Sequence, residues 1–155
     1  MARSSVWLSV ETSVVDGHEK VMAMVLRWYS TVVESTDHKK LARWWAEALG
    51  WDVRFELDSE SVIVPPWAAE LTERLDFHQV PPGMVFVPVE HRKSGKNRLH
   101  WDFAPPTSDD RDAEIARLVE LGAAVIEVGQ PEDATWTVLA DPDGNEFCVL
   151  SARDV

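Results

Sequence analysis

The residues Asp141-Pro142-Asp143-Gly144 decide the fold, because they predict a tight turn directly before a strand at 145–151. Proline favours the first central position of a β-turn, and Asp and Gly favour the positions after it. Such a turn sets the register of the strand that follows it, so that alternate residues of that strand share one face. We predict that this turn closes the second half of a duplicated domain.

A helix is predicted between Asp37, a good N-cap residue, and Gly50, which suits a left-handed C-cap. Its apolar side chains recur at the spacing of one helix face. They are Leu41, Trp44, Trp45, Ala48 and Leu49. This apolar face predicts that the helix packs against a sheet.

The second half of the chain repeats the order of elements of the first half. Around the first helix we predict strands at 25–34, 51–57, 61–64 and 84–90. In the second half we predict a strand at 98–104, a helix opened by Ser108-Asp109-Asp110, and strands at 124–128, 135–140 and 145–151. The repeat predicts two tandem βαβββ modules, at about 24–90 and 98–151.

Two segments lie outside this repeat. The insert from Trp67 to Val80 is bounded by prolines, with a short helix predicted at 68–75, and is either a surface loop or a lid. Residues 1–23 are interpreted as an N-terminal extension before the domain at 24–155. Within that extension, 5–15 alternates as a strand does, and the alternative is a mobile segment.

The composition argues against some classes of binding partner and indicates a cellular compartment. Lys and Arg total 15 against 27 Asp and Glu, giving a formal charge of -12 that repels nucleic acids and anionic membrane surfaces. We therefore expect neither nucleic-acid nor membrane binding. The one cysteine, Cys148, allows no intrachain disulfide, and the N-terminus lacks the apolar core of a secretory signal, so we expect a cytoplasmic protein.

Four motifs in the predicted order, at 26–30, 41–51, 97–102 and 140–150, make the chain similar to the glyoxalase/bleomycin-resistance family, also called the vicinal oxygen chelate superfamily. The resemblance implies an α+β fold in which two tandem βαβββ modules form half-barrels around a pocket, with the helices outside. Isomerases, lyases, dioxygenases and drug-binding proteins share this scaffold, so the resemblance specifies a fold more closely than a function.

Alternation along the strands indicates which side chains such a pocket would receive. Leu99, Trp101 and Phe103 are expected to meet the helix. The inward positions are then Trp28, Ser30, Arg98, His100, Asp102, Glu146 and Cys148.

The resemblance also implies where a metal would lie. Metal-dependent relatives carry ligands at positions that correspond to Ser30, a residue near 87–89, His100 and Cys148, and only His100 is a usual ligand of the family. We therefore expect no cofactor and no metal site. The alternative is a divalent metal that uses the Cys148 thiolate with a nearby carboxylate of Glu90, Asp102 or Glu146.

His100 is the candidate general acid or base, with the carboxylate of Asp102 or Glu146 fixing its tautomer, and the alternative is a buried histidine without a chemical role. Arg98 would bind an anionic substrate or simply reach water. Cys148 would contact substrate as a nucleophile or pack as a small apolar side chain. Trp28 would stack on a planar ligand beside Ser30.

These residues leave three functions open. The first is a small-molecule-binding domain that acts as a metal-independent lyase or isomerase through His100. The second is a binding protein of the bleomycin-resistance type that sequesters a planar or aromatic compound. The third is an interaction module whose pocket has decayed. Exposed sheet edges, together with the resemblance, predict a homodimer.

Overall fold

The computed structural model describes residues 26–71, 74–131 and 133–154. The predicted strand at 5–15 and the rest of the N-terminal extension lie outside these residues. None of the helices in the described ranges is long and apolar enough to cross a membrane.

The first module forms a four-stranded mixed sheet in the order β1-β4-β3-β2, in which β1 and β4 are parallel and the other pairs antiparallel. A short helix, α2, lies in the insert between β3 and β4. The elements are β1 (Ser30–Ser35), α1 (His38–Leu49), β2 (Asp52–Glu56), β3 (Ser61–Val64), α2 (Pro66–Leu71) and β4 (Gly83–Pro88).

The second module repeats this topology in the sheet order β5-β8-β7-β6, again with a parallel pair, β5 and β8, at the start. Its elements are β5 (Asp102–Phe103), α3 (Arg111–Glu120), β6 (Ala124–Val125), β7 (Trp136–Ala140) and β8 (Glu146–Leu150). The predicted α+β fold of two tandem βαβββ modules is confirmed. Over the described residues the two sheets stay separate and do not close into one barrel.

Helix α1 begins and ends where the sequence predicts. The Asp37 carboxylate accepts a hydrogen bond from the backbone N–H of Lys40, and Gly50 adopts the left-handed conformation with φ of 63°. Helix α3 has the same type of N-cap. The carboxylate of its N-cap residue Asp110 accepts hydrogen bonds from the backbone N–H groups of Asp112 and Ala113.

The core lies between α1 and both sheets. Trp45, which is 1% exposed, has its ring 5.1 Å from Trp101, 5.6 Å from Phe103 and 5.1 Å from Phe147. These three rings belong to the second module, so the helix of the first module also packs against the second sheet. Because large aromatic side chains dominate core energetics, this cluster ties the modules into one domain.

Strand β1 starts at Ser30, and residues 26–29 are not part of it, so the predicted start of this strand is too early. Ser30 pairs with Gly83, and the residues before Gly83 are Pro81 and Pro82. Proline has no N–H to donate to a sheet, so before Ser30 the described chain makes only one further hydrogen bond to β4, from the N–H of Gly83 to the carbonyl oxygen of Tyr29. Trp28 lies in the segment that leads into the strand.

Strand β5 is also shorter than the predicted 98–104. Asp102 pairs with Cys148, which would place Arg98 opposite Gly144, and Gly144 belongs to the turn before β8. Trp101 and Phe103 pack on the core as expected, whereas Leu99 is 88% exposed. The prediction that Leu99 meets the helix is wrong, because residues 98–100 lack a neighbouring strand.

His38 contacts the backbone of the first module and not solvent. It is the first residue of α1, it is buried, and its Nε2 lies 3.0 Å from the carbonyl oxygen of Leu57. The helix start thus places its imidazole against the turn between β2 and β3.

Candidate functional site

An open cleft of about 970 Å³ runs between β1 and the segment that connects the modules. Strand β1 contributes one wall, and the loop after β4 contributes much of the other wall. The lining residues are Trp28, Ser30, Thr31, Val32, Val33, Glu34, Val89, His91, Arg92, Lys93, Ser94, Asn97, Leu99, His100, Trp101, Asn145 and Glu146. A space of this size and mixed lining suits a small organic molecule.

The turn at 141–144 adopts the predicted geometry, since the N–H of Gly144 donates to the carbonyl of Asp141 at 2.9 Å. The carboxylate of Asp141 is buried and accepts four hydrogen bonds, from the N–H groups of Asp143 and Asn145, the Asn145 amide and the Trp45 indole. The turn therefore also joins β8 to α1 of the other module.

Glu146, directly after this turn, holds the loop that forms the cleft wall. Its Oε2 accepts a hydrogen bond from the backbone N–H of Asn97 at 2.9 Å and lies 3.0 Å from Nζ of Lys93. Lys93 also donates to the carbonyl oxygen of Gly144 at 2.9 Å. Burial raises the pKa of Glu146, but the contacts with Asn97 and Lys93 outweigh it and hold the pKa below its ordinary value.

These contacts distinguish the two carboxylates predicted to partner His100. Glu146 is occupied by Lys93 and Asn97, whereas Oδ1 of Asp102 lies 3.4 Å from Nε2 of His100. Asp102 is therefore the carboxylate that lies beside His100, and a role for Glu146 in orienting this imidazole stays a prediction. A separation of 3.4 Å is long for a hydrogen bond, but catalytic pairs often tighten only when ligand binds.

His100 lies in the cleft wall with 49% of its side chain exposed. The alternative of a buried histidine therefore does not apply. Trp28, Ser30 and Glu146 also line the cleft, as the sequence predicts. Arg98, Asp102 and Cys148 are not among the lining residues, and Arg98 is exposed.

Cys148 is buried beside Asp102. Burial, and then the negative charge and hydrogen bonding of Asp102, raise the pKa of the thiol to about 11. The reactive form of cysteine is the thiolate, and this environment suppresses it. The surroundings thus favour a packing role for Cys148 over a nucleophilic one.

The metal positions implied by the family do not form a site that spans both modules. The first module offers only the Ser30 hydroxyl and the apolar side chains of Val87 and Val89, which cannot replace the imidazole and carboxylate donors that such ions need.

Within the second module, however, ligand atoms of His100, Asp102 and Cys148 all lie within 4.8 Å of one another. Imidazole, carboxylate and thiolate are donors that zinc accepts, provided that Cys148 loses its proton. An ion held there would supply Lewis-acid chemistry. The absence of a stoichiometric metal stays a prediction.

No role was predicted from the sequence for residues 91–97, although five of them line the cleft and Arg98 follows them directly. The loop at 91–98 carries Arg92, Lys93, Lys96 and Arg98 without one acidic residue. The signal was present, because such a basic run is unusual in a chain with a net charge of -12. Arg92 lines the cleft, where the sequence analysis had favoured Arg98.

Two βαβββ modules with an open cleft of mixed polar and apolar lining define a duplicated α+β domain. The model of the family described as glyoxalase-like domain matches residues 30–150, and the chain belongs to this family. No curated protein matches the sequence.

Solved structures of the glyoxalase/bleomycin resistance/dioxygenase superfamily share the fold. A family enzyme from Burkholderia phytofirmans is 13% identical with a TM-score of 0.60, and the match covers 82% of this chain and 99% of that one. A fosfomycin resistance protein from Mesorhizobium loti is 13% identical with a TM-score of 0.58, covering 82% and 92%. A superfamily member from Sphaerobacter thermophilus is 17% identical with a TM-score of 0.54, covering 83% and 98%. These likenesses show the fold alone.

Proposed function

We propose that the cleft binds a small organic molecule and that His100 acts on it as a general acid or base, in a metal-independent lyase or isomerase reaction. The observation that carries this proposal is the placement of His100. Its imidazole is half exposed in the cleft wall, and the Asp102 carboxylate lies 3.4 Å behind Nε2. A carboxylate in this position stabilises the imidazolium that forms when histidine takes a proton.

In the proposed reaction His100 transfers a proton to and from the ligand. With its Nε2–H directed at Asp102, neutral His100 has a free lone pair on Nδ1. That nitrogen can take a proton from an acidic C–H of the ligand and return it to the same or a neighbouring atom. Return to another atom isomerises the ligand, and expulsion of a leaving group before return gives a lyase reaction.

Binding without catalysis is the second candidate function, and one observation favours it. Trp28 is 64% exposed on the cleft wall and offers an aromatic face to a planar compound. Glu146, the other carboxylate predicted to be catalytic, is already held by Lys93 and Asn97. Sequestration of a planar or aromatic compound needs no further group.

Proton exchange in D₂O separates these functions. A ligand is first found by a thermal-shift screen of small metabolites, since a ligand at a hundredfold excess over its Kd stabilises a protein by about 2.7 kcal/mol. The ligand is then incubated with the protein in D₂O, and NMR follows the replacement of its C–H protons. We expect His100→Ala to slow this exchange by about 10²–10⁴-fold while the Kd changes little.

His78→Gln is the matched control, because His78 is an exposed histidine outside the cleft. It should exchange protons as the wild type does. Unchanged exchange in His100→Ala would refute the acid-base role. A ligand that binds the wild type without any exchange would instead support sequestration.

A further inference from the structure

The charge of this protein is divided unevenly between one loop and the rest of the chain. Residues 91–98 contain four of the 15 Lys and Arg residues and none of the 27 Asp and Glu residues. The loop therefore carries +4, and the remainder carries 11 - 27 = -16. An anion is repelled by most of this surface and attracted to the loop, and screening by salt confines the attraction to about 10 Å.

The loop is held in place against the second module. Lys93 bridges the carbonyl oxygen of Gly144 and the carboxylate of Glu146, and the backbone N–H of Asn97 donates to the same carboxylate. These contacts neutralise the charges of Lys93 and Glu146 against each other. They also fix the loop at Lys93 and at Asn97, which are sequence neighbours of the other three cations.

Three cations of the loop have no salt-bridge partner among the described residues, although the charge of Lys96 acts on the Cys148 thiol. Arg92, Lys96 and Arg98 form no hydrogen bond or ion pair with any other residue that the structure describes, and all three are exposed. Arg92 lines the cleft together with Asn97 and His91, so a guanidinium and neutral hydrogen-bonding groups lie on one wall. Guanidinium binds carboxylates and phosphoryl groups in a planar, two-point geometry.

The other parts of the cleft would orient such a ligand. Glu34 lies on β1, which supplies the opposite wall, and repels an anionic group from that side. The lining also includes the apolar side chains of Val32 on β1, Val89 and Leu99, of which Val32 and Leu99 are largely exposed. These side chains offer contacts to an apolar ligand body, and its burial against them is favourable.

We propose that the ligand of this cleft is a small organic anion, whose carboxylate or phosphoryl group is bound by Arg92 and the 91–98 loop and whose apolar body lies between the walls. This inference rests on the proposed function, because it names the class of molecule that the same cleft takes. It also places the acidic group near His100, so that the C–H bonds next to it come within reach of the imidazole.

Matched probes test the proposal. Phenylacetate and phenylphosphonate are titrated against phenylacetamide, which is neutral and nearly isosteric with phenylacetate, and the amide signals of the ¹⁵N-labelled full chain are followed by NMR. We expect both anions to shift signals of 91–98 and of the cleft, and phenylacetamide to bind about tenfold more weakly or worse. Affinity for the anions should fall as NaCl is raised.

The variant Arg92→Gln should weaken binding of both anions by about tenfold, as expected for a lost charge-assisted hydrogen bond. Arg54→Gln is the control, because Arg54 is exposed on β2 outside the cleft and its loss changes the net charge equally. It should bind the anions as the wild type does.

The outcomes separate the two proposals. If phenylacetamide binds the cleft as tightly as the anions and Arg92→Gln changes nothing, the anion inference fails while the binding function stands. If Arg54→Gln weakens binding as much as Arg92→Gln, only the overall charge matters, and the inference again fails. If no probe of either kind shifts the cleft signals at millimolar concentrations, both proposals are overturned.

Discussion

Replacement of Asp141 by asparagine should destabilise the whole domain. The two side chains have the same shape, but the carboxylate accepts hydrogen bonds on both oxygens. Oδ2 accepts from Nε1 of Trp45 at 3.0 Å and from Nδ2 of Asn145 at 2.9 Å. Oδ1 accepts from the backbone N–H groups of Asp143 and Asn145, each at 2.9 Å. An asparagine can keep one pair, and its amide NH₂ then faces two other donors.

The expected fall in the free energy of unfolding follows from these hydrogen bonds. Two hydrogen bonds to a charged acceptor are lost, each worth about 1.5–3 kcal/mol. Burial, the largest influence on Asp141, raises the pKa of its carboxyl group, so removal of the buried charge offsets part of this loss. We expect the free energy of unfolding to fall by about 3 kcal/mol. For a chain of this size that lowers the Tm by about 6–12 °C.

Urea denaturation followed by tryptophan fluorescence, together with calorimetry, measures both quantities. Asp143→Asn is the control, because it removes the same charge from the same turn at a residue that contributes only its backbone N–H to Asp141. It should change the free energy of unfolding by less than about 0.5 kcal/mol. Equal effects of the two substitutions, or an Asp141→Asn variant as stable as the wild type, would refute the reasoning.

Three further predictions concern the thiol, the metal and the assembly. The pKa of the Cys148 thiol is raised to about 11 in the folded protein, whereas in urea it is about 8.5. At pH 8 the thiol should therefore react with a thiol reagent at least ~100-fold more slowly in the folded protein than in urea. Equal rates would contradict this. Elemental analysis of purified protein should find no stoichiometric metal; about one zinc per chain, lost in Cys148→Ser, would instead establish the cluster with His100 and Asp102 as a metal site. Sedimentation should find a dimer that Phe55→Asp weakens, because the edge strand β2 exposes Val53 and Phe55; a monomeric wild type would refute this.

The fold could be predicted because its signals are local. The N-cap Asp37, the C-cap Gly50 and the turn at 141–144 each act through their own neighbours in the chain, and each has its predicted place. The strand ends could not be predicted in the same way. How far β1 extends before Ser30 depends on Pro81 and Pro82, which lie about fifty residues away in the sequence and come opposite this segment only after folding.

The candidate site likewise combines residues that the sequence predicts with residues that it does not. Alternation predicted that Arg98, His100 and Asp102 face the cleft, but of these only His100 lines it, because residues 98–100 lie before β5 and do not follow the alternation of a strand. It did not distinguish Asp102 from Glu146 as the partner, since that choice depends on Lys93 and Asn97, which lie in a loop without periodicity. Nor did it identify Arg92, because no pattern within a loop indicates which cation faces a cavity.

The turn that marks the fold also supports the site. Its Asp141 carboxylate is bonded to Trp45 of α1, its Gly144 carbonyl accepts from Lys93, and Glu146 directly after it holds the 91–98 loop. Core packing and the position of the basic loop therefore depend on the same few residues. A substitution that loosens the turn, such as Asp141→Asn, should consequently weaken anion binding even where most molecules remain folded, because Lys93 then loses the fixed acceptors that hold the loop at the cleft.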